Sequence, residues 1–198
     1  MKIYTRTGDD GTTGLLYGGR VLKDSDLPTA YGSVDEAQAF LGLARAEALG
    51  SGVAGAELGE MLLGLGRDLY VVMAELATLP ANRHKLTDGT SRTSKDMVDA
   101  LEPLIDDITG RFAMPTEFVV PGGSRPGALL DVARTVVRRA ERATIVAVDE
   151  GSFALMYLNR LSDLLWALAR WQDGVSDLAK SSAPASTHIG SPPPKGSS

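Results

Sequence analysis

The sequence predicts an all-α fold, a five-helix bundle with a long N-terminal loop that becomes ordered on binding a ligand. Three observations predict it. Apolar residues recur at helical spacing over most of residues 33–173. Almost no stretch alternates apolar and polar residues as a half-buried strand would. The chain has 198 residues, 43% apolar and 23% charged, enough for one globular core without covalent staples. We take residues 1–173 as a helical-bundle domain. Residues 174–198 are expected to form a disordered tail, because they are rich in Ser, Ala, Thr and Lys and carry four of the ten prolines. Such a segment cannot bury enough apolar surface to offset its ordering entropy.

Residues 1–32 are rich in Gly, Thr and Asp and show no sustained period, so they read as a loop with room for one short strand. Ser33-Val34-Asp35-Glu36 has the pattern of a capping box. It predicts a first helix from there to about Ala48, with Val34, Ala37, Leu41, Ala44 and Ala48 on one stripe. A second helix covers about 56–77, where Leu58, Met61, Leu62, Leu65, Leu69, Val72, Met73 and Leu76 share a face. Residues 78–92 carry Pro80, Asn82, Asp88 and Gly89 and read as a loop. A third helix covers about 94–110, with Pro103 as a kink or break. Phe118-Val119-Val120 is a short extended piece before Pro121-Gly122-Gly123. A fourth helix spans about 127–148 and a fifth about 152–173.

Composition excludes several chemistries. There is no cysteine, which removes disulfides, iron–sulfur clusters, thiolate zinc sites and cysteine nucleophiles. Only His84 and His188 are present, too few for a multi-histidine metal site. A bound metal would be a hard cation held by oxygen, with Mg2+ the leading candidate. The net charge of −5 makes non-specific nucleic-acid binding unfavourable. The first residues lack the apolar core of a signal peptide, and no run is long enough to span a bilayer, so a cytoplasmic location without membrane contact is expected.

The fourth helix carries the strongest local signal. At about 100° per residue, Leu129, Ala133, Val136, Ala140, Ala143 and Ala147 fall on one side, and Asp131, Arg134, Arg138, Glu141 and Arg142 on the other, with Arg139 at the margin. This ridge fits a solvated face laced with i,i+4 ion pairs. It equally fits an anion site, because arginine forks match phosphate oxygens and stay charged. On the fifth helix Asn159, Asp163 and Arg170 share an arc away from the leucines. That arc is either surface polarity or a place to fix a ribose, a base edge or backbone. The stretch Thr5 to Gly14 packs three glycines and four threonines into ten residues, with Lys23 downstream. Its glycines permit close backbone approach and its amides can form an anion nest, although an ordinary turn has the same composition. It is neither a Walker A loop nor a dinucleotide fingerprint.

Five blocks stand in order: Tyr4-Thr5-Arg6-Thr7-Gly8-Asp9-Asp10-Gly11-Thr12-Thr13-Gly14-Leu15, Val34-Asp35-Glu36 with Leu41-Gly42, Phe118 to Ser124, Ala133-Arg134 through Arg142, and Tyr157 to Asp163. Together they resemble the PduO-type ATP:cob(I)alamin adenosyltransferases across essentially residues 1–173. The resemblance implies a homotrimer with active sites between subunits. It implies transfer of the 5′-deoxyadenosyl group of ATP to cob(I)alamin, giving adenosylcobalamin and triphosphate. It implies ATP contacts from Thr5, Arg6, Thr7, Gly8, Thr13, Gly14, Lys23, Arg138, Arg139, Glu141, Arg142 and Asn159. Glu141 would support the magnesium–phosphate cluster. Asp35 and Arg134 would form an intersubunit ion pair beside the corrin, and Phe118 would sit under the corrin ring. Arg138, Arg142, Phe118, Asp35 and Arg134 would thus be the residues on which transfer depends. Further implied partners are a cobalamin reductase and an adenosylcobalamin-dependent acceptor enzyme. A corrinoid- or ATP-binding carrier or sensor with the same fold, and a purely structural bundle, are the competing readings.

Overall fold

The first helix begins where the chain first meets the core. In the computed structural model, which describes residues 2–49 and 52–179, helix α1 spans Asp26–Ala48. It therefore starts seven residues before the expected capping box. Ser33 is not a cap: it lies inside the helix and its hydroxyl donates to the Thr29 carbonyl at 2.8 Å. Pro28 suits a first helical turn, and Pro28 and Ala30 are buried along with Val34, Ala37, Leu41, Ala44 and Ala48. Gly32 and Ser33 are weak helix formers, which hides this first turn from a propensity reading.

Helix α2, Gly52–Leu76, returns antiparallel to α1. Leu58, Leu62, Leu65, Leu69, Val72 and Leu76 are buried. Gln38 donates to the Gly66 carbonyl at 2.6 Å and Arg45 to the Gly59 carbonyl at 3.0 Å, pinning the two helices side by side. A single 3-10 turn covers Pro80–Lys85. The expected third helix is present as two pieces, α3 (Lys95–Asp99) and α4 (Leu101–Thr109), joined at Ala100. The break places Pro103 in the first turn of α4, where its missing N–H is not needed. Helix α5 is Arg125–Thr144 and α6 is Ala154–Asp173. Ser124 caps α5 by accepting the Gly127 amide at 3.0 Å. Helices α1, α2, α5 and α6 enclose one core, and Leu158, Leu161, Leu164, Leu165 and Leu168 of α6 are fully buried in it. The all-α architecture is as expected, with six helices among the described residues.

The N-terminal loop is more ordered than its composition suggests. Strands β1 (Thr12–Gly14) and β2 (Arg20–Leu22) form a small antiparallel hairpin with Thr13 opposite Val21. The hairpin tip is tied to the end of α2. The Leu16 backbone amide donates to the Ala77 carbonyl at 2.8 Å, and the Asn82 side-chain amide donates to the Tyr17 and Gly18 carbonyls at 3.3 and 3.4 Å. Gly19, at φ 96°, holds a backbone conformation that a side chain would strain, and a Cβ there would press on the Leu79 side chain.

Helix α6 ends at Gly174, whose φ of 69° reverses the chain. The segment after it differs from the expected tail. The Val120 amide donates to the Asp177 carbonyl and the Ala179 amide to the Phe118 carbonyl, both at 2.8 Å. Residues 177–179 therefore pair antiparallel with 118–120 around a Val119–Leu178 bridge. The remainder of the expected tail, 180–198, lies outside the described residues. No described helix is long and apolar enough to cross a membrane.

Candidate functional site

Helix α5 positions both halves of the candidate site. Its inner stripe, Leu130, Ala133, Val137, Ala140 and Thr144, is buried, so its other faces carry the charge outward. Arg138, Arg139 and Arg142 are exposed. Arg139 pairs with Glu36 of α1, so its fork is already engaged. Arg142 donates to the Arg138 carbonyl at 3.0 Å. Neither Arg138 nor Arg142 has a carboxylate partner among the described residues. Two guanidinium groups are thus held on one rigid face with their anion-binding capacity free, which a solvated ladder of ion pairs would not leave. Beside them, Glu141 accepts from the Asn159 side chain at 3.1 Å, and Asn159 accepts from Arg160 at 2.9 Å. The structure therefore brings Asn159 of α6 to the ridge.

Asp131 and Arg170 depart from expectation. Asp131 is not on the exposed ridge but 4% exposed, and Arg170, expected beside Asn159 and Asp163, is 1% exposed. One amino group of Arg170, Nη2, donates to Asp131 at 2.5 Å and to Asp173 at 3.0 Å. Asp173 also accepts the Ser124 hydroxyl at 2.8 Å. Asp131 in turn accepts from Arg134 Nε at 3.4 Å. Helical projection alone could not find this cluster, because an arginine among leucines reads as a polar edge. The available signal was Arg170 directly following Ala167-Leu168-Ala169, with Asp173 one turn on.

The second half is a cavity of about 650 Å3 whose wall includes Pro115, Phe118, Val119, Arg134, Trp166 and Arg170. Phe118 is 87% exposed. That degree of exposure removes a core role for it and leaves a large apolar ring standing at the cavity. Arg134 and Arg138 are four residues apart on α5, about 6 Å along its axis, so cavity and ridge adjoin. Asp35 is exposed on α1 and has no ion partner among the described residues. The Asp35–Arg134 pair is not made within this chain.

In the N-terminal loop, Thr5 and Thr7 hydroxyls are 2.8 Å apart. Lys23 donates to the Gly8 carbonyl at 2.7 Å, and a Cβ on Gly8 would crowd that ammonium. The Thr12 hydroxyl and amide bind Asp10 and hold its carboxyl below its ordinary pKa. Arg6, at φ 60°, holds a left-handed conformation that is uncommon for a non-glycine residue and clusters at functional sites. Thr13 and Gly14 lie in β1. Among the described residues, no hydrogen bond or ion pair joins this loop to Arg138, Arg142 or Asn159. No group of three carboxylates or histidines is placed to hold a metal unaided among the described residues. Glu141, hydrogen-bonded to Asn159, is the carboxylate nearest Arg138 and Arg142 in sequence on the ridge.

Comparison with known proteins places these features in one family. The family described as cobalamin adenosyltransferase matches residues 3–172. The corrinoid adenosyltransferase of Bacillus subtilis (strain 168) is 41% identical over 175 residues, covering 86% of this chain and 86% of that protein. The corrinoid adenosyltransferase of Mycobacterium tuberculosis (strain H37Rv) is 43% identical over 174 residues, covering 85% and 87%. Among solved structures, a variant PduO-type ATP:corrinoid adenosyltransferase from Lactobacillus reuteri, complexed with cobalamin and ATP, is 29% identical with a TM-score of 0.79. It aligns over 91% of this chain and 100% of its own.

Proposed function

The chain belongs to the cobalamin adenosyltransferase family, and from that membership we infer that it is an ATP:corrinoid adenosyltransferase, transferring the 5′-deoxyadenosyl group of ATP to cob(I)alamin. The observation that carries this reading onto the chain's own residues is the layout of α5. Guanidinium groups at Arg138 and Arg142, without carboxylate partners among the described residues, adjoin a cavity walled by Arg134 and the exposed Phe118. A polyphosphate and a large apolar ring system would thus lie end to end.

The chemistry asks the protein for placement and electrostatics rather than for a base. Cob(I)alamin supplies the electron pair that forms the cobalt–carbon bond to C5′. The C5′–oxygen bond breaks, triphosphate leaves with that bond's electrons, and cobalt passes formally from +1 to +3. Holding the two reactants in line is positioning catalysis. Arg138, Arg142 and Lys23 would stabilise the charge that develops on the leaving triphosphate, and Thr5, Arg6, Thr7, Gly8, Thr13 and Gly14 would wrap the nucleotide. Asn159 and Glu141, already hydrogen-bonded to one another, would orient its ribose end and the phosphate cluster. Mg2+ would be held by the ATP phosphates with Glu141 nearby, supplying charge neutralisation. Phe118 would cover the lower face of the corrin and exclude water from the axial position on cobalt, easing reduction of cob(II)alamin.

Asp35, exposed and without an ion partner among the described residues, would meet Arg134 of a neighbouring subunit. The exposed Val132 on α5 and the exposed Ile145 and Val146 just after its end support an assembled form, which we propose is a homotrimer in the cytoplasm. A reductase that delivers cob(I)alamin and an enzyme that accepts adenosylcobalamin are the further proposed partners. The test is product analysis. Phosphorus NMR of the chain mixed with ATP, Mg2+ and cob(I)alamin is expected to show intact triphosphate in step with corrinoid consumed. Pyrophosphate plus phosphate released without a cobalt–carbon bond, or no turnover, would overturn the reading.

A further inference from the structure

The ridge and Phe118 are explained by what they would bind, but the buried ionic cluster at the back of the cavity, which Asp131 and Arg170 help to line, is not. Arg134, Asp131, Arg170 and Asp173 form a continuous chain of two guanidinium groups and two carboxylates. Arg170 is 1% exposed, and its side chain carries a buried Nε–H without an acceptor. Buried ion pairs are weak sources of stability, since desolvation offsets most of the attraction. Apolar residues at 131, 170 and 173 together would serve the core at least as well, so the cluster needs another reason.

Its two ends supply one. At one end Asp131 accepts from Arg134 Nε and so fixes the direction of a guanidinium that walls the cavity. At the other end Asp173 accepts the Ser124 hydroxyl, and Ser124 caps α5. Asp173 also occupies space that side chains would otherwise fill. A Cβ on Gly127 would lie 2.1 Å from its Oδ1, and one on Gly123 would lie 3.0 Å from its Cγ. The Gly122-Gly123-Ser124 turn and Gly127 are thus shaped around the Asp173 carboxylate, and that turn leads directly back to Phe118. A single amino group, Arg170 Nη2, holds both ends.

We propose that Arg170 is a positioning residue for the corrin half of the site: through Asp131 it aims Arg134, and through Asp173 it fixes the turn that presents Phe118. This deepens the transferase reading and rests on it. The cluster touches neither Arg138 nor Arg142, so it acts on one substrate and not on the other.

Three variants test this. Asp131→Asn keeps the shape of the cluster and weakens its grip on both arginines. Arg170→Met removes the bridging cation, and Arg170→Lys restores one. Asp131→Asn and Arg170→Met are expected to raise the KM for corrinoid about tenfold, the loss of one charge-assisted contact, with MgATP affinity in calorimetry unchanged within about twofold. Arg170→Lys is expected to recover much of that loss. Hydrogen exchange, which needs no turnover, is expected to quicken over 116–124 in Asp131→Asn while α2 stays protected. A folded Asp131→Asn with unchanged corrinoid KM and unchanged exchange over 116–124 would overturn the proposal, as would equal losses for both substrates. Should the unmodified chain show no transfer, the exchange result still decides for or against positioning, whereas the transferase reading falls alone.

Discussion

Arg138 and Arg142 are exposed cations with no carboxylate partner among the described residues, and that is the property a triphosphate site would need. Each charge-assisted contact is worth about 1.5–3 kcal/mol. Arg138→Ala or Arg142→Ala is therefore expected to weaken MgATP binding roughly tenfold to a hundredfold, with helix content unchanged by circular dichroism. Unchanged affinity in calorimetry for both would contradict the assignment. A different residue pair tests the core. The Tyr157 hydroxyl is buried and donates to Asp68 at 2.8 Å. Burial raises the Asp68 pKa above its ordinary value, the Tyr157 hydrogen bond opposing it, and burial likewise pushes Tyr157 upward. Because its folded pKa is the higher one, Asp68 favours the folded state most below its unfolded pKa, and that contribution is lost as pH rises through the folded value. Tyr157→Phe removes the donor and is expected to cost about 1–3 kcal/mol at neutral pH. The cost should shrink as the pH falls and Asp68 takes up a proton. Denaturant melts at neutral and acidic pH would show it; a loss that grows on acidification would contradict it.

At the scale of elements, the piece after α6 decides more than its length suggests. Residues 177–179 pair with 118–120 through two backbone hydrogen bonds. Removing 180–198 is expected to leave the melting temperature nearly unchanged, because no apolar periodicity extends there. Removing 174–198 is expected to cost about 0.5–1.5 kcal/mol for each hydrogen bond lost, seen as a lower melting temperature. Equal melting temperatures for the two truncations would show that the pairing adds nothing. The sequence made the long helices legible because an amphipathic stripe repeats over five or six turns in each. It hid elements whose cause is tertiary. The strands of the hairpin are three residues each, too short to alternate visibly. The first turn of α1 lies behind Gly32 and Ser33, and the Ser33 capping pattern competes with it. The ridge was readable because its arginines point outward, which is what a helical projection reports. Arg170 was not readable, because its burial depends on Asp131, Asp173 and the space left by Gly123 and Gly127, residues far apart in the chain.

At the scale of the molecule, we propose that the site is completed between subunits. Asp35 stands unpaired on α1, Arg134 stands at a cavity wall, and the N-terminal loop makes no hydrogen bond or ion pair with the ridge among the described residues. A trimer in light scattering is the expected state, and Asp35→Asn is expected to lower activity chiefly through the corrinoid KM. A fully active monomer at working concentration would contradict the intersubunit site. The central claim is that α5 divides the labour, phosphate on one turn and corrin on the next. One measurement tests it most directly: the absorbance of cobalt followed with saturating MgATP in the unmodified chain, Arg138→Ala and Phe118→Ala. The unmodified chain is expected to form the cobalt–carbon bond from reduced cobalamin. Arg138→Ala is expected to fail at this step while still binding cob(II)alamin in four-coordinate form. Phe118→Ala is expected to keep its melting temperature and MgATP affinity, to show more five-coordinate cob(II)alamin, and to turn over slowly from that state. Retained transfer in Arg138→Ala, or a Phe118→Ala protein that melts many degrees lower with an unchanged cobalt spectrum, would contradict the account.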